Sequence, residues 1–251
     1  MAKRVLAPER RQRLVRLLAD EGRVVASEAA ARLGVSLDTV RRDLDELAAA
    51  GAVHRVHGGA LPPSPSARRF VDRREHDVAA KATIADAAHG LVADGQVVVM
   101  GGGTSVLELA RRLPEALRAT VVTSAPDVAV ALLEHEGLEV VALGGPVHPE
   151  TRTVVGAEAV DALRAIRADL CILGACSLHP DAGVTVLHRE EAIVERVMLE
   201  RAARVAVLAA AGKLGSGGPY VVGPAEAVDV LVTDAADTAE LEARGIEVVR
   251  A

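Results

Sequence analysis

Two groups of residues have the types and spacing needed to bind a negatively charged ligand. The first is the run from Ser36 to Arg42, in which two adjacent arginines follow a threonine. Arginine binds guanine O6 and N7 with two hydrogen bonds, and hydroxyl groups hold phosphates. The second group consists of glycine-rich and hydroxyl-bearing segments that follow short apolar runs, together with Lys213. Backbone N–H groups, hydroxyls and a lysine are typical of a site for a small anion.

Helical periodicity places the first group at the start of a helix. Leucines recur at helical spacing after Pro8 and predict a first helix. Gly34 suits the left-handed conformation that ends a second helix. Ser36 suits the N-terminal cap of a third helix, at about residues 37–50. This is the helix-turn-helix arrangement, whose second helix enters the DNA major groove with its first residues. The predicted DNA contacts on this helix are Ser36, Thr39, Arg41 and Arg42. The alternative is a three-helix docking domain with solvated arginines.

A short hairpin is predicted after this helix. Residues 52–57 alternate between apolar and polar side chains and then meet Gly58 and Gly59, as in a tight β-turn. A hairpin directly after a recognition helix is a wing, and we expect Arg55 and His57 to contact the DNA backbone. Asp43 lies beside the inward row of the helix, so we expect it to pair with a nearby arginine rather than with a base.

Charge and composition divide the chain after the hairpin. Residues 1–75 carry a net charge of +5 and residues 76–251 a net charge of −11, so only the first part attracts a polyanion. Glycine, proline and serine are concentrated in residues 57–66, as in a stiff linker. We predict a winged helix-turn-helix DNA-binding domain at residues 1–60, a linker at 61–76 and an effector-binding and oligomerisation domain at 77–251.

Strands and helices alternate in the second domain. Short β-branched apolar runs begin near residues 97, 121, 140, 170, 205, 230 and 246, with amphipathic segments between most of them. Such runs are typical of strands covered on both faces. The alternation predicts an α/β fold, with a Rossmann-like, mostly parallel sheet wrapped by helices. Ligands bind such sheets beyond the carboxyl ends of the strands.

Small and hydroxyl-bearing residues follow several of these strands and are expected to converge on one anion pocket. The predicted effector contacts are Gly103, Thr104, Ser105, Thr123, Ser124, Gly145, Gly174 and Lys213. The first loop is not a dinucleotide fingerprint, because Val106 occupies the position of the third glycine, and Lys213 is not in a Walker loop, because Leu214 follows it. An ordinary tight turn and a solvated lysine are the competing interpretations.

The other reactive side chains form no recognisable centre. Cys171 and Cys176 are the only cysteines, the eight histidines lack metal-ligand spacing, and no Gly-x-Ser-x-Gly sequence occurs. We therefore expect no metal, no cofactor and no catalytic residue. No apolar run reaches the ~18 residues of a membrane span, and the first residues lack a secretory signal, so we expect a cytoplasmic protein.

The motifs resemble those of DeoR-type transcriptional regulators along nearly the whole chain. In the head the resemblance rests on Glu9-Arg10-Arg11, the run from Ser36 to Leu44, Gly51, and the run from Arg55 to Ala60. In the body it rests on residues 81–85, 103–105, 122–124 and 143–145, on Gly156, Asp169, Gly174 and Gly183, and on Glu191-Ala192, Gly212-Lys213 and Gly215. The resemblance implies a winged helix-turn-helix at about residues 7–62 that binds operator DNA, usually as a repressor. It also implies a sensor domain similar to ribose-5-phosphate isomerases, through which a phosphorylated sugar releases the regulator.

Five positions depart from the pattern of that family. Gly101 and Ala210 stand where aspartates are usual, and Ser105 stands where a second threonine is usual. Glu195 stands where a lysine is common, and the Asn of a Thr-Asn-Ser motif is missing after Thr123. The absence of the two aspartates argues against isomerase catalysis.

Three hypotheses follow from the sequence. We favour a repressor of carbohydrate-metabolism genes that binds double-stranded operator DNA and leaves it when a phosphorylated sugar or related metabolite binds. One head contacts only a few base pairs, so we expect a homo-oligomer, either a dimer or a tetramer. The alternatives are a sugar-phosphate isomerase-like enzyme with an attached DNA-binding head, and a DNA-binding module whose body only assembles subunits.

Overall fold

Three helices and a small sheet form the head. The computed structural model of the chain describes residues 6–67 and 69–251. The elements of the head are α1 (Ala7–Glu21), β1 (Val24–Val25), α2 (Ala26–Leu33), α3 (Leu37–Ala49), β2 (His54–Val56) and β3 (Gly59–Leu61). β3 lies between β1 and β2 and pairs antiparallel with both. This is the winged helix-turn-helix that the sequence predicts, with β2 and β3 as the wing.

A compact apolar core fixes α3 against α1. Leu14 and Leu18 of α1, Val40 and Leu44 of α3, and Val53 before the wing are buried together. Burial of each leucine contributes roughly 2 kcal/mol to the stability of this small core. Because Val40 and Leu44 are one turn apart, the remaining faces of α3, including its two arginines, are left in solvent.

The body is larger, and its described residues form seven α-helices, four short 3₁₀ turns and the strands of two sheets. Its strands are, in chain order, β4 (Val97–Met100), β5 (Ala119–Thr123), β6 (Leu138–Ala142), β7 (Ala168–Leu173), β8 (Ser177–His179), β9 (Gly183–Val186), β10 (Ala202–Leu208), β11 (Tyr220–Gly223), β12 (Val230–Thr233) and β13 (Glu247–Arg250). Its α-helices are α4 (Phe70–Arg74), α5 (Val78–Ala88), α6 (Thr104–Ala110), α7 (Pro126–Leu132), α8 (Ala157–Arg164), α9 (Arg189–Glu200) and α10 (Ala239–Glu242).

The main sheet is parallel throughout and confirms the predicted α/β class. Its strand order is β13-β12-β10-β7-β4-β5-β6. The chain builds outward from β4 through β5 to β6, then returns to add β7 on the other side of β4. The order therefore reverses between β4 and β7, and in open parallel sheets ligands bind beyond the carboxyl ends of the strands at such a reversal.

Apolar layers cover both faces of most strands. On β7, Cys171 belongs to the core of one face and Ile172 to the core of the other, as the alternation of a strand requires. The prediction of coverage on both faces is wrong for β6, whose residues are mostly exposed. β6 is an edge strand, and its apolar residues do not reveal that position.

A second sheet connects the body to the head. β11, β9 and β8 pair antiparallel in that order, and the sequence analysis did not predict them. After β3, Pro63 forms a bridge with Gly217, and Pro62 O accepts a hydrogen bond from the Gly217 N–H at 3.2 Å. No helix within residues 6–67 and 69–251 is both long enough and apolar enough to cross a membrane.

Candidate functional site

The start of α3 is held by a side-chain cap. Ser36 Oγ accepts a hydrogen bond from the backbone N–H of Thr39 at 3.2 Å and lies 2.8 Å from Thr39 Oγ1. Such a cap stabilises a helix by about 1 kcal/mol. Ser36 is exposed and Thr39 is half-buried. The two hydroxyls predicted to contact DNA therefore also order the helix that would carry them.

Two exposed arginines follow this cap. Arg41 Nη1 lies 3.5 Å from Asp38 Oδ1, an exposed pair of the kind that contributes less than about 1 kcal/mol. Arg42 makes no hydrogen bond or ion pair with any residue that the structure describes. Both guanidinium groups are accessible to a duplex lying against the N-terminal half of α3, and Arg42 has no internal interaction to give up.

Asp43, between these arginines and the core, has a structural role. Its carboxylate is buried and accepts two hydrogen bonds from Arg10, one of them from Nη2 at 2.9 Å to Oδ1. This hydrogen bonding raises the pKa of Arg10. The prediction that Asp43 pairs with an arginine rather than a base is confirmed.

The wing residues differ in their freedom. His57 is exposed beside Gly58, whose φ of +83° makes the turn. Arg55 is half-buried, donates from Nε to Asp45 Oδ1 at 2.8 Å, and also donates to the carbonyl of Gly59. His57 is therefore the freer of the two to reach a phosphate, and Arg55 must first leave its internal partners.

Glycines allow the loops after β4 and β7 to approach closely. A Cβ on Gly174 would lie 2.7 Å from Gly102 O, and a Cβ on Gly101 would lie 2.8 Å from Leu173 Cδ2. Gly103 has a φ of +108° and leads directly into α6. The close approach of Gly103 and Gly174 thus brings the two loops together where the strand order of the sheet reverses, between β4 and β7.

A cavity of about 360 Å³ lies beside this point. It brings together three of the predicted effector residues, Thr104, Ser105 and Lys213. The other residues that line it are Pro65, Ser66, Arg73, His76, Asp77, Lys81, Ala210 and Gly212. Three arginine and lysine side chains and one carboxylate face the same space, so the cavity favours an anionic ligand.

Lys81 anchors the segment that contributes these additional residues. Its Nζ donates hydrogen bonds to the carbonyl groups of Arg73 and His76, and the side chain is buried. Burial lowers the pKa of Lys81. A cation is therefore held at the cavity wall with backbone dipoles as its partners.

The electrostatics of Lys213 also favour an anion. The pKa of Lys213 is lowered to about 8, chiefly by burial, and the nearby charges of Arg73 and Lys81 contribute in the same direction. Ser105 Oγ and Arg73 Nε are buried and have no hydrogen-bond partner within the described residues. Buried polar groups normally have a partner, so these two atoms and Lys213 are matched to a ligand that supplies negative oxygen atoms.

The other predicted effector residues do not line this cavity. Thr123 Oγ1 accepts a hydrogen bond from the Ala125 N–H at 3.1 Å, and Ser124 O accepts one from the Val154 N–H at 2.6 Å. Gly145, with φ +135°, packs against Val155. These residues join the end of β5 to the segment before α8, and an effector contact by them remains a prediction.

Two carboxylates that sequence reasoning did not assign to the site are buried on α9, and one of them, Glu195, is near enough to Lys213 to be affected by its charge. Glu191 and Glu195 are one turn apart on α9, both are buried, and Oε2 of each lacks a hydrogen-bond partner among the described residues. Burial raises the pKa of Glu191 to about 7. Burial and the neighbouring Glu191 raise the pKa of Glu195, while Lys213 acts in the opposite direction.

Sequence reasoning also missed Ser66, Arg73 and Lys81 as parts of the pocket. Lys81 stands at the head of a motif that the resemblance includes, which is the one available signal for it. Ser66 and Arg73 lie in the predicted linker, where the composition indicates only a spacer.

Burial raises the pKa of the Cys176 thiol to about 12, so this cysteine is unreactive in its position beside Lys213 and Glu191.

Comparison with known proteins gives matches over both parts of the chain. Residues 10–65 match the family model described as the DeoR-like helix-turn-helix domain, and residues 76–235 match the DeoR C terminal sensor domain. The HTH-type transcriptional regulator GlpR of Haloferax volcanii is 34% identical over 98% of this chain and 98% of its own. The HTH-type transcriptional repressor GlcR of Bacillus subtilis is 31% identical over 90% of this chain and 88% of its own. A D-ribose-5-phosphate isomerase solved in complex with phospho-erythronic acid aligns with 53% of this chain and 52% of its own, at 17% identity and a TM-score of 0.40.

Proposed function

The chain belongs to the DeoR family of DNA-binding transcriptional regulators, and from that premise we propose that a phosphorylated sugar or related metabolite releases it from operator DNA by binding around Lys213. In this role it represses genes of carbohydrate metabolism in the cytoplasm. The relatives that match along their length are named as regulators, so the isomerase-like alternative is not favoured.

One observation carries the choice of effector. Lys213, Lys81, Arg73 and the unpartnered Ser105 hydroxyl line a single cavity of about 360 Å³. That volume lies within the range of small-molecule sites, roughly 300–1,000 Å³. A phosphate group supplies negative charge that neutralises these cations. Its oxygen atoms also supply hydrogen-bond acceptors for Ser105 Oγ and Arg73 Nε, which have none among the described residues.

Thermal unfolding of the purified chain tests the effector class. Each sugar in a panel is tested in its free and its phosphorylated form. Compounds that bind are used at about 100 times their dissociation constant. Binding at that level stabilises the folded state by about 2.7 kcal/mol, which raises Tm by roughly 5–10 °C. We expect only phosphorylated compounds to stabilise the wild type, and none to stabilise Lys213→Met. Stabilisation by none of them in the wild type supports a body that only assembles subunits.

For DNA recognition, we assign base contacts to Arg42, Arg41 and Thr39 at the start of α3. Ser36 and the wing residues His57 and Arg55 contact phosphates. The exposure of both arginines and the absence of an internal partner for Arg42 support this division. The phosphate contacts set the position of the head, and the arginines read the sequence.

We further propose that the repressor is a homo-oligomer. Val130 of α7 and Leu133 directly after it are 64% and 70% exposed, and Val141 of the adjacent edge strand β6 is 40% exposed. An exposed apolar patch next to an unpaired strand edge favours burial against a second copy. Sedimentation velocity tests this proposal: Leu133→Glu should shift the wild-type oligomer toward the monomer, and Arg164→Glu on α8 should not.

A further inference from the structure

The segment between the two domains forms part of the wall of the anion pocket. Pro65 and Ser66 line the same cavity as Lys213 and Ser105. They begin the 3₁₀ turn Pro65–Ala67, only a few residues after the wing strand β3 ends at Leu61. A ligand in this cavity therefore lies directly against the connection to the DNA-binding head.

Two buried serines tie this segment to the loop between β7 and β8. Ser64 Oγ donates a hydrogen bond to Cys176 O at 2.8 Å, and Ser66 Oγ donates to the same carbonyl at 3.2 Å. Ser64 Oγ also accepts a hydrogen bond from the Ser66 N–H at 3.1 Å. Both side chains are 5% exposed. Since a hydroxyl carries one proton, each serine gives its only donor to Cys176 O.

The same segment is tied to the loop that carries Lys213. Pro62 O accepts a hydrogen bond from the N–H of Gly217, four residues beyond Lys213, and Pro63 forms a bridge to Gly217. Residues 62 and 63 are thus fixed to Gly217 beyond Lys213, and Ser64 and Ser66 are fixed to the loop between β7 and β8.

We propose that Ser66 is an effector-binding residue that couples the pocket to the head. When an anion binds, the Ser66 hydroxyl exchanges Cys176 O for an oxygen of the anion, and one of the two hydrogen bonds from the linker to the β7–β8 loop is lost. A charged acceptor forms a hydrogen bond about twice as strong as a neutral one, so the exchange is favourable. Cys176 O keeps its hydrogen bond from Ser64. This coupling rests on the proposed function, since it needs an anion in the Lys213 pocket.

Ser66→Ala and Ser64→Ala form a matched pair for the test. Each removes one hydroxyl and leaves Cys176 O with one donor, but only Ser66 lines the cavity. Inorganic phosphate is titrated into the full chain by calorimetry at constant ionic strength. We expect Ser66→Ala to weaken phosphate binding about tenfold and Ser64→Ala to change it less than about twofold.

Hydrogen exchange of the linker amides supplies a second measurement. Saturating phosphate should increase exchange at the amides of Ser64, Ser66, Ala67 and Gly217 in the wild type, and should leave it unchanged in Ser66→Ala. Equal phosphate affinity in Ser66→Ala and the wild type, or no change of linker exchange in the wild type, would overturn the role of Ser66. If phosphate fails to bind the wild type, or binds Lys213→Met equally well, the pocket itself is wrongly assigned and this coupling fails with it.

Discussion

The guanidinium of Arg10 on α1 donates two hydrogen bonds to the carboxylate of Asp43 on α3, across 33 positions of sequence. Asp43 follows Arg41 and Arg42 directly, so this pair connects the surface that carries the arginines to the first helix. It fixes the rotation of α3 about its axis together with the apolar contacts of Val40 and Leu44. The orientation of the DNA-facing arginines therefore depends on a residue that does not itself face DNA.

Replacing this carboxylate should destabilise the head. Asp43→Ala leaves Arg10 mostly buried without its carboxylate, which should lower the free energy of opening α3 by about 2–4 kcal/mol. Glu46→Ala, which removes the exposed partner of Arg11, is the control and should cost less than about 1 kcal/mol. Native-state hydrogen exchange of the α3 amides measures both. Equal protection in the two variants would contradict a structural role for Asp43.

Arg42 should carry base recognition. Arg42→Ala should weaken binding to DNA selected in vitro by the wild type by about 1–3 kcal/mol, and relax the preference at one position of the site. Arg164→Ala, an exposed arginine of the body, is the control for net charge. Fluorescence anisotropy at several salt concentrations separates the two effects. If Arg42→Ala weakens binding to all sequences alike, the arginine contacts only the DNA backbone.

Phosphate binding should depend on the charge of Lys213. Because the pKa of Lys213 is about 8, its ammonium group is mostly charged at pH 7 and mostly neutral at pH 9.5. Phosphate affinity should fall by roughly tenfold over that interval. Lys213→Arg keeps its charge at both values and should lose much less affinity. Calorimetry at the two pH values measures this, and an identical decline in both proteins would assign the titration to another group.

Glu191 should make the protein less stable as the pH rises. Its pKa is about 7 in the folded chain and near the ordinary 4.5 when unfolded, so the folded state binds more protons between these values. The contribution of Glu191 to stability is therefore greatest below pH 4.5, falls as the pH rises from about 4.5 to about 7, and levels off above that.

Glu191→Gln removes that dependence. At pH 8 it should be more stable than the wild type by about 1–3 kcal/mol, and the difference should shrink at pH 5. Glu190→Gln changes an exposed neighbour and should behave like the wild type. Tm values at the two pH values decide this. A constant difference between Glu191→Gln and the wild type would show that the effect does not come from titration.

Local signals explain why the head and the main sheet were predictable. Gly34 in the left-handed conformation and the Ser36 cap determine the turn between α2 and α3 within a few residues. The β-branched runs likewise predict the strands of the parallel sheet from a few adjacent residues. β8, β9 and β11 were not predicted, because their few apolar residues stand beside Ser177, His179, Gly183 and Gly223, and β9 and β11 pack against α9.

The site was only partly predictable, for a related reason. Thr104, Ser105 and Lys213 follow strands of a parallel sheet, and strand ends of such a sheet meet at one edge. Arg73 and Lys81 precede the first strand of that sheet, and only the packing of α4 and α5 brings them to the pocket. The burial of Glu195 on α9 is likewise a property of tertiary packing, since one turn of helix does not distinguish a buried glutamate from a solvated one.

Release from operator DNA by a phosphorylated sugar bound at Lys213 is best tested by measuring operator binding in the presence of such sugars. Fluorescence anisotropy with in vitro selected DNA gives the Kd of the wild type and of Lys213→Met, each with and without every compound that stabilises the wild type. We expect at least one phosphorylated compound to raise the wild-type Kd for operator DNA tenfold or more, while the Kd of Lys213→Met stays unchanged. Release of both proteins alike, or release by the unphosphorylated sugar, would contradict it.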